Sequence, residues 1–278
     1  MIAHRGDSAH APENTLEAGA LGHASGAFAW EFDVQLSRDG VPVVFHDPTL
    51  DRTTDAPRDR LLSASSLEVL QSLDAGARFL DPRGGPRTAA AFGTRDRIDP
   101  GLAARIAAGA VRIPTFDEAL ALTIDLDWAA NVEIKSAHDG DFRLVDAVLA
   151  TIRRLGVADR ILVSSFDHAE VARVVAADLG VATGVLVSHP IHRPGAYVRD
   201  WIGAEAYHAS TRAIGGDGPS GRLREQDLDD CRAAGVPVLV YTVNPGPGDD
   251  LADRLAGSGV AGIFTDDPRG LLARFNRA

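Results

Sequence analysis

The run from Glu31 to His46 reads EFDVQLSRDGVPVVFH. It opens with two carboxylates, Glu31 and Asp33, inside an otherwise apolar segment, AFAWEFDVQ. Side chains alternate across a strand, so Glu31 and Asp33 share one face. Two like charges about 4 Å apart repel by roughly 1–4 kcal/mol, depending on the effective dielectric. Burial adds the loss of hydration. A divalent cation relieves both costs, because hard cations take oxygen ligands. The plainer alternative is a pair of strand-end carboxylates meeting solvent or arginines. Asp39-Gly40 has the chemistry of a tight turn, and VPVVF leads back to His46. The turn brings a candidate acid/base toward a candidate metal.

On the N-terminal side, IAHRG (Ile2–Gly6) is a short apolar entry into a polar tip, with His4, Arg5 and Gly6 at the end of a first strand. Asn14 followed by Glu17 predicts an N-cap and a helix to about Ser25, ended by Gly26. On the C-terminal side the pattern breaks. Residues 47–112 are rich in Asp, Arg, Gly and Pro, with SSLEVLQSLDAG as one short capped helix. They are expected to form an inserted subdomain within a single domain, 1–278, and long irregular insertions in compact domains are usually functional.

The rhythm resumes at Ile113. Thr115-x-x-Glu118 is a capping box opening a helix. Strands are predicted in WAANVEIKS, RILVSSF, VATGVLVS, EAYHAS, VPVLVYTV and VAGIFT. Helices are predicted in FRLVDAVLATIRRLG, DHAEVARVVAADLG (capped by Asp167), REQDLDDCRAAG, DDLADRLAGSG and PRGLLARF. Strands alternating with helices imply a parallel sheet with right-handed crossovers. A count of about eight favours an α/β fold closed as a (β/α)8 TIM barrel. No GxGxxG follows the first strand, so a dinucleotide fold has little support.

Bulk properties agree with a globular chain of 278 residues, 45% apolar and 24% charged. A net charge of −11 argues against nucleic-acid or anionic-membrane partners. A single cysteine, Cys231, excludes an intrachain disulfide and a multi-cysteine metal site. No apolar run is long enough to insert stably in a bilayer. The first strand starts almost at Met1, so no signal peptide is expected and a cytoplasmic location is the simplest expectation. Nothing in the sequence fixes an oligomeric state.

Barrel enzymes carry their sites at the C-terminal ends of the strands. The residues that interrupt these ends are His4-Arg5, Glu31 and Asp33, His46, Glu133 and Lys135, Ser164-Ser165-Phe166, His208, Tyr241, Thr242 and Asn244, and Thr265-Asp266-Asp267. Glu133 and Lys135 repeat the spacing of Glu31 and Asp33. Three inward carboxylates with two cations beside them suit one hard divalent ion, Mg²⁺ or Ca²⁺, next to an anion site. Arg5 offers a fork and Lys135 a point charge for a phosphate. His4 and His46 suit acid and base roles, because one neutral and one protonated imidazole coexist near neutral pH. Phosphodiester cleavage needs both. The bland competitors are hydrogen-bonded structural histidines and a plain Glu133–Lys135 ion pair. Ser164 and Ser165 read as turn and cap residues, and Cys231 as core. His10, His23, His138, His168, His189 and His192 read as solvated, and His208 is left outside the site.

With these residues in view, the chain resembles the glycerophosphodiester phosphodiesterase family. The resemblance rests on IAHRG (Ile2–Gly6), APENT (Ala11–Thr15) and EFDVQLSRDGVPVVFHDPTLDRTT (Glu31–Thr54). IPTFDEAL, NVEIK, VLVYTVN and GIFTDDP follow in the family's order. It implies a barrel of the phospholipase C-like phosphodiesterase type with a small insertion after the second strand. It also implies a divalent cation and hydrolysis of glycerophosphodiesters, such as glycerophosphocholine or glycerophosphoethanolamine, to an alcohol and sn-glycerol 3-phosphate. By that resemblance His4 and His46 are the acid/base pair, Glu31, Asp33 and Glu133 the metal ligands, and Arg5 and Lys135 the phosphate contacts. Tyr241 stands where the family commonly has Trp, and it keeps an aromatic wall for the glycerol pocket. The competing readings are a sphingomyelinase D-like phospholipase and a non-catalytic phosphodiester-binding barrel. The absence of paired cysteines and the presence of NVEIK oppose the first. Retention of both histidines and all three carboxylates opposes the second.

Overall fold

A computed structural model describes residues 1–83, 85–136, 140–216, 221–244, 246 and 248–276. In chain order its elements are β1 (Ile2–His4), α1 (Leu16–Ala24), β2 (Ala29–Leu36), β3 (Pro42–Val44), α2 (Leu67–Ser72), α3 (Ala89–Phe92), α4 (Pro100–Ala107) and α5 (Phe116–Asp125). There follow β4 (Ala129–Ile134), α6 (Arg143–Leu155), β5 (Ile161–Ser165), α7 (His168–Ala176), β6 (Ala182–Val187), α8 (Pro194–Ala196) and β7 (Ala206–Ser210). The chain closes with α9 (Glu225–Ala234), β8 (Val238–Tyr241), α10 (Leu251–Gly257), β9 (Gly262–Thr265) and α11 (Pro268–Phe275).

Eight strands, β1, β2, β4, β5, β6, β7, β8 and β9, pair in parallel, and the β1–β2 pairing closes them into a ring. β3 lies outside the ring, antiparallel to β2. Alternation along β2 explains its mixed sequence. Trp30, Phe32 and Val34 are buried in the helix-facing core with Phe116, Leu120, Val132 and Ile134. The Trp30 indole stacks on Trp128 at 6.1 Å and donates to Thr123 Oγ1 at 2.9 Å. Each fully buried apolar side chain of this kind contributes roughly 1.5–3 kcal/mol. Glu31 and Asp33, between them, are also buried.

The Asp39-Gly40 turn is present, with Gly40 at φ 79. The capping box of α5 forms as read from the sequence, and Asp167 caps α7. The cap of α1 is Thr15, not Asn14: Thr15 accepts from Ala18 N, whereas Asn14 turns toward β2. Residues 47–112 hold more helix than their composition suggests. α4 starts with an Asp99 cap and Pro100 in its first turn, a legible pair of start signals. α2 is not capped by its own Ser66 side chain; Asp39, across the β2–β3 turn, accepts from Leu67 N at 3.0 Å. Leu50, Leu62, Leu70, Phe79, Leu102 and Ile106 share one buried cluster with Ala11, Ala18 and Val43. That shared cluster packs the segment against the start of the chain. Among the described residues, no helix is long and apolar enough to cross a membrane.

Candidate active site

The β1 end is shaped by backbone constraints. Gly6 has φ 81, and a Cβ there would lie 2.4 Å from the carbonyl carbon of Ala18, so only glycine fits. Arg5 and Asn14 adopt left-handed backbone, at φ 57 and 59, which costs of order 1–3 kcal/mol for a residue other than glycine. Both positions are held by contacts to the β2 carboxylates. Arg5 N donates to Glu31 Oε2 at 2.8 Å, and Arg5 Nε lies 3.3 Å from Asp33 Oδ2. Asn14 Nδ2 donates to Asp33 Oδ2 at 2.7 Å, and Asp33 N donates back to Asn14 Oδ1 at 3.2 Å.

Parallel register sets Asp33 beside Glu133. Glu31, Asp33 and Glu133 each present a carboxylate oxygen within 4.8 Å of the others, and all three are buried. Glu31 Oε1, Asp33 Oδ1 and Glu133 Oε1 are buried without a hydrogen-bond partner. Lys135 Nζ makes ion pairs with Asp33 Oδ1 at 3.2 Å and with Glu133 Oε1. Burial, then repulsion from Asp33 and Glu133, pushes the Glu31 carboxyl well above its usual range. Glu133 is raised by burial and by Asp33. Burial also opposes the Asp33 charge, but Lys135 and Arg5 outweigh it and hold Asp33 low. Three clustered buried carboxylates, with Glu31 Oε1 unpartnered among the described residues and Asp33 Oδ1 and Glu133 Oε1 sharing the single ammonium of Lys135, are the donor set of a hard divalent cation, so the residues fit the ion expected from the sequence. A second group, Asp7, His10 and Asp267, has comparable separations. In it His10 Nδ1 bonds Asp7 Oδ1 at 2.8 Å and Asp267 caps α11, while Asp7 Oδ2 is buried without a hydrogen-bond partner and 3.8 Å from Arg269 Nη2.

Each of the two chosen histidines is fixed by a carboxylate at Nδ1. His4 Nδ1 bonds Asp266 Oδ1 at 2.7 Å, and His46 Nδ1 bonds Asp47 Oδ1 at 2.6 Å. A carboxylate only accepts, so Nδ1 carries the proton in the neutral ring and Nε2 is left basic. His4 Nε2 lies 3.9 Å from Glu31 Oε2. Burial lowers the His4 pKa despite Asp266. Burial also works against the Asp47 charge, but hydrogen bonds from His46 and Arg52 hold its carboxyl at about 2. At the β8 end, the Tyr241 hydroxyl donates to Val187 O at 2.7 Å, so it is engaged by the backbone of β6. Phe166, at the β5 end, meets Tyr241 edge-on at 6.0 Å and is 37% exposed, and Lys135 Nζ lies 5.7 Å from its ring centre. Beside His46 and Lys135 opens a groove of about 490 Å³, lined also by Gln35, Pro48, Ser63 and Arg143.

Every candidate from the sequence thus lies at one end of the barrel, His4, Arg5, Glu31, Asp33, His46, Glu133, Lys135 and Tyr241 included. Ser164 and Ser165 serve structure: Ser164 accepts from Asn131, and Ser165 donates to Glu170. Cys231 is core. His189 and His192 are exposed, His23 is half-buried with its ring edge-on to Trp128, and His138 lies outside the described residues. His10 and His168 are not solvated as expected. His10 is buried against Asp7, and His168 bonds Tyr197 Oη and Leu186 O. His208 is fully buried against Gly184 with both ring nitrogens unpartnered, and burial lowers it to about 3. Sequence reasoning missed Glu13, Asn14, Asp47, Arg52 and Arg87. Asp266 stood among the strand-end residues, but nothing local linked it to His4, 262 positions away.

A closed eight-stranded barrel whose C-terminal rim gathers buried carboxylates, arginine, lysine and paired histidines defines a barrel enzyme of the hydrolase class. Residues 4–269 match the glycerophosphoryl diester phosphodiesterase family, and the chain belongs to that family. It is 29% identical over 272 residues to the glycerophosphodiester phosphodiesterase of Caldanaerobacter subterraneus subsp. tengcongensis, covering 98% of this chain and 96% of the relative. The glycerophosphodiester phosphodiesterase of Bacillus altitudinis is 29% identical over 269 residues, covering 96% of this chain and 94% of its own. Among solved structures, a phosphodiesterase of Oleispira antarctica in complex with the product sn-glycerol-3-phosphate aligns with a TM-score of 0.78 and 28% identity. The alignment covers 99% of this chain and 96% of that one. The closed eight-stranded barrel is the one the strand count and the resemblance implied, and β3 is an added strand outside the ring.

Proposed function

We propose that this enzyme hydrolyses small glycerophosphodiesters, such as glycerophosphocholine or glycerophosphoethanolamine, to an alcohol and sn-glycerol 3-phosphate. The observation that carries the reading is convergence: two histidines, each oriented at Nδ1 by its own carboxylate, flank three buried carboxylates whose oxygens lie within 4.8 Å of one another. Glu31, Asp33 and Glu133 hold one divalent cation, Mg²⁺ or Ca²⁺. When bound, it offsets negative charge on the phosphoryl oxygens. Arg5 and Lys135 orient the phosphate by charge and hydrogen bonds. Burial favours neutral His4, which takes the proton of the attacking hydroxyl at Nε2. His46, on the more open side, donates a proton to the departing alkoxide as its P–O bond breaks. The attacking hydroxyl is the substrate's own neighbouring one, which gives a cyclic phosphate that water then opens with the histidine roles reversed. Tyr241 and Phe166 wall the glycerol moiety. Residues 47–112 form an inserted subdomain over the rim and, with the groove beside His46, select the alcohol. The product held by the Oleispira protein supports the glycerol 3-phosphate side of this reading.

The test is release of glycerol 3-phosphate from both substrates with Mg²⁺, with Ca²⁺ and with chelator. Cation-dependent release is expected, with a cyclic phosphate trapped in a quenched time course. No release from folded protein with either cation would remove the reading; release without any cyclic species would remove only the two-step route.

A further inference from the structure

From residues 47–112, the Arg87 side chain reaches the His4 side of the site. Its guanidinium donates four hydrogen bonds. Nη1 and Nη2 fork onto Asp266 Oδ2 and Oδ1 at 2.9 and 2.8 Å. Nη2 also reaches Ser8 Oγ at 2.9 Å, and Nε reaches Glu13 Oε2 at 2.8 Å. Asp266 Oδ1 is the atom that His4 Nδ1 meets at 2.7 Å. Arg87 adopts φ 69, a region that a residue other than glycine keeps only when its surroundings hold it there. Its guanidinium carbon also lies 5.4 Å from the centre of the Phe92 ring on α3.

The His46 side repeats the pattern. Arg52 binds Asp47, the partner of His46, with Nε on Oδ2 and Nη2 on Oδ1 at 3.1 Å. Arg52 and Arg87 then meet on one carboxylate, Glu13, which Arg5 also binds at 2.7 Å. Glu13 is buried, and its carboxyl is held well below the usual range: burial opposes the charge, but Arg5, Arg52 and Arg87 outweigh it. One shared carboxylate therefore ties together the two arms that orient the two histidines.

We propose that Arg87 is a positioning residue: its fork locks Asp266, and Asp266 locks the His4 ring, so that residues 47–112 set the alignment of the reacting imidazole. A guanidinium suits this task because it binds both carboxylate oxygens in one plane, which an ammonium cannot do. The proposal rests on the acid/base reading of His4, and its test separates the two.

The experiment measures kcat and KM for glycerophosphocholine at saturating cation, with thermal unfolding as the control for folding. Arg87→Ala is expected to lower kcat about 10- to 100-fold, as misplacement of a reacting group does, with KM changed less than about 3-fold and the unfolding transition retained. Added guanidinium is expected to restore part of the lost kcat, which repair of a merely structural defect would not explain. Arg87→Lys, the variant to use where Arg87→Ala fails to fold, keeps the charge but loses the fork and is expected to fall between the two. Arg83→Ala, an exposed pair with Asp81 on the same segment, is expected to leave kcat unchanged. Wild-type kcat in folded Arg87→Ala or Arg87→Lys, or a loss that guanidinium does not relieve, would overturn the proposal. If His4→Ala is inactive while Arg87→Ala is not, only this inference fails. If His4→Ala also turns over, the reading of His4 fails with it.

Discussion

His46→Ala is expected to lower kcat by roughly 10²- to 10⁴-fold, the range a positioned proton donor supplies, while the protein stays folded. The physical grounds for separating activity from stability are specific. The His46 side chain is 30% exposed and, among the described residues, its hydrogen-bond partner is Asp47. Asp47 keeps Arg52 when the imidazole is removed, so no buried charge is stranded. The neighbouring core residues, Val44 and Phe45, are untouched. KM should move little, because Arg5 and Lys135 bind the phosphate. The check is a kcat/KM split at saturating cation beside a thermal unfolding curve. Near wild-type turnover in folded His46→Ala would mean that the acid lies elsewhere.

Glu31→Gln is expected to lose cation affinity and activity together, with the opposite sign for its effect on stability. Glu31 is buried beside Asp33 and Glu133, and its carboxyl is raised well above its usual value by burial first and by those neighbours next. A group whose folded pKa is raised contributes stability below its unfolded pKa, roughly 4.3. That contribution is lost as pH rises through the folded value. In chelator, wild-type protein should therefore become less stable as pH climbs above the ordinary glutamate range, and Glu31→Gln should be the more stable of the two at neutral pH. A cation reverses the order, because a ligand at about 100 times its Kd stabilises by about 2.7 kcal/mol. Unfolding temperatures with and without Mg²⁺ or Ca²⁺ check both signs. A cation-induced rise that survives in Glu31→Gln would place the ion outside these carboxylates.

How much of this was legible in the sequence depends on the range of the interaction. Glu31, Asp33, Glu133 and Lys135 could be read because a period of two carries them to one face, and the barrel's parallel register does the rest. The β2–β3 hairpin could be read from Asp39-Gly40, and the α5 cap from Thr115 and Glu118, because both are local. Asn14 was misread for the opposite reason. Its spacing to Glu17 suits a cap, but its amide is better used on a buried carboxylate 19 positions ahead, and Thr15 takes the cap instead. His10 and His168 look like surface histidines by composition, yet His10 is buried against Asp7, three positions back, and His168 meets Tyr197 and Leu186, which only the tertiary fold brings near. Arg52, Arg87, Glu13 and Asp266 were beyond reach because their meaning is wholly relational. In a segment rich in arginine and aspartate, no period distinguishes the guanidinium groups that cross to the barrel, such as Arg52 and Arg87, from those that stay in solvent.

The most direct measurement is a crystal structure of the protein grown with Mn²⁺ and sn-glycerol 3-phosphate, with anomalous differences locating the metal. The expected result is one strong anomalous peak among Glu31, Asp33 and Glu133, and a phosphate contacting Arg5 and Lys135 with Nε2 of His4 and of His46 turned toward it. A peak away from those three carboxylates, or a phosphate bound out of reach of both histidines, would contradict the site.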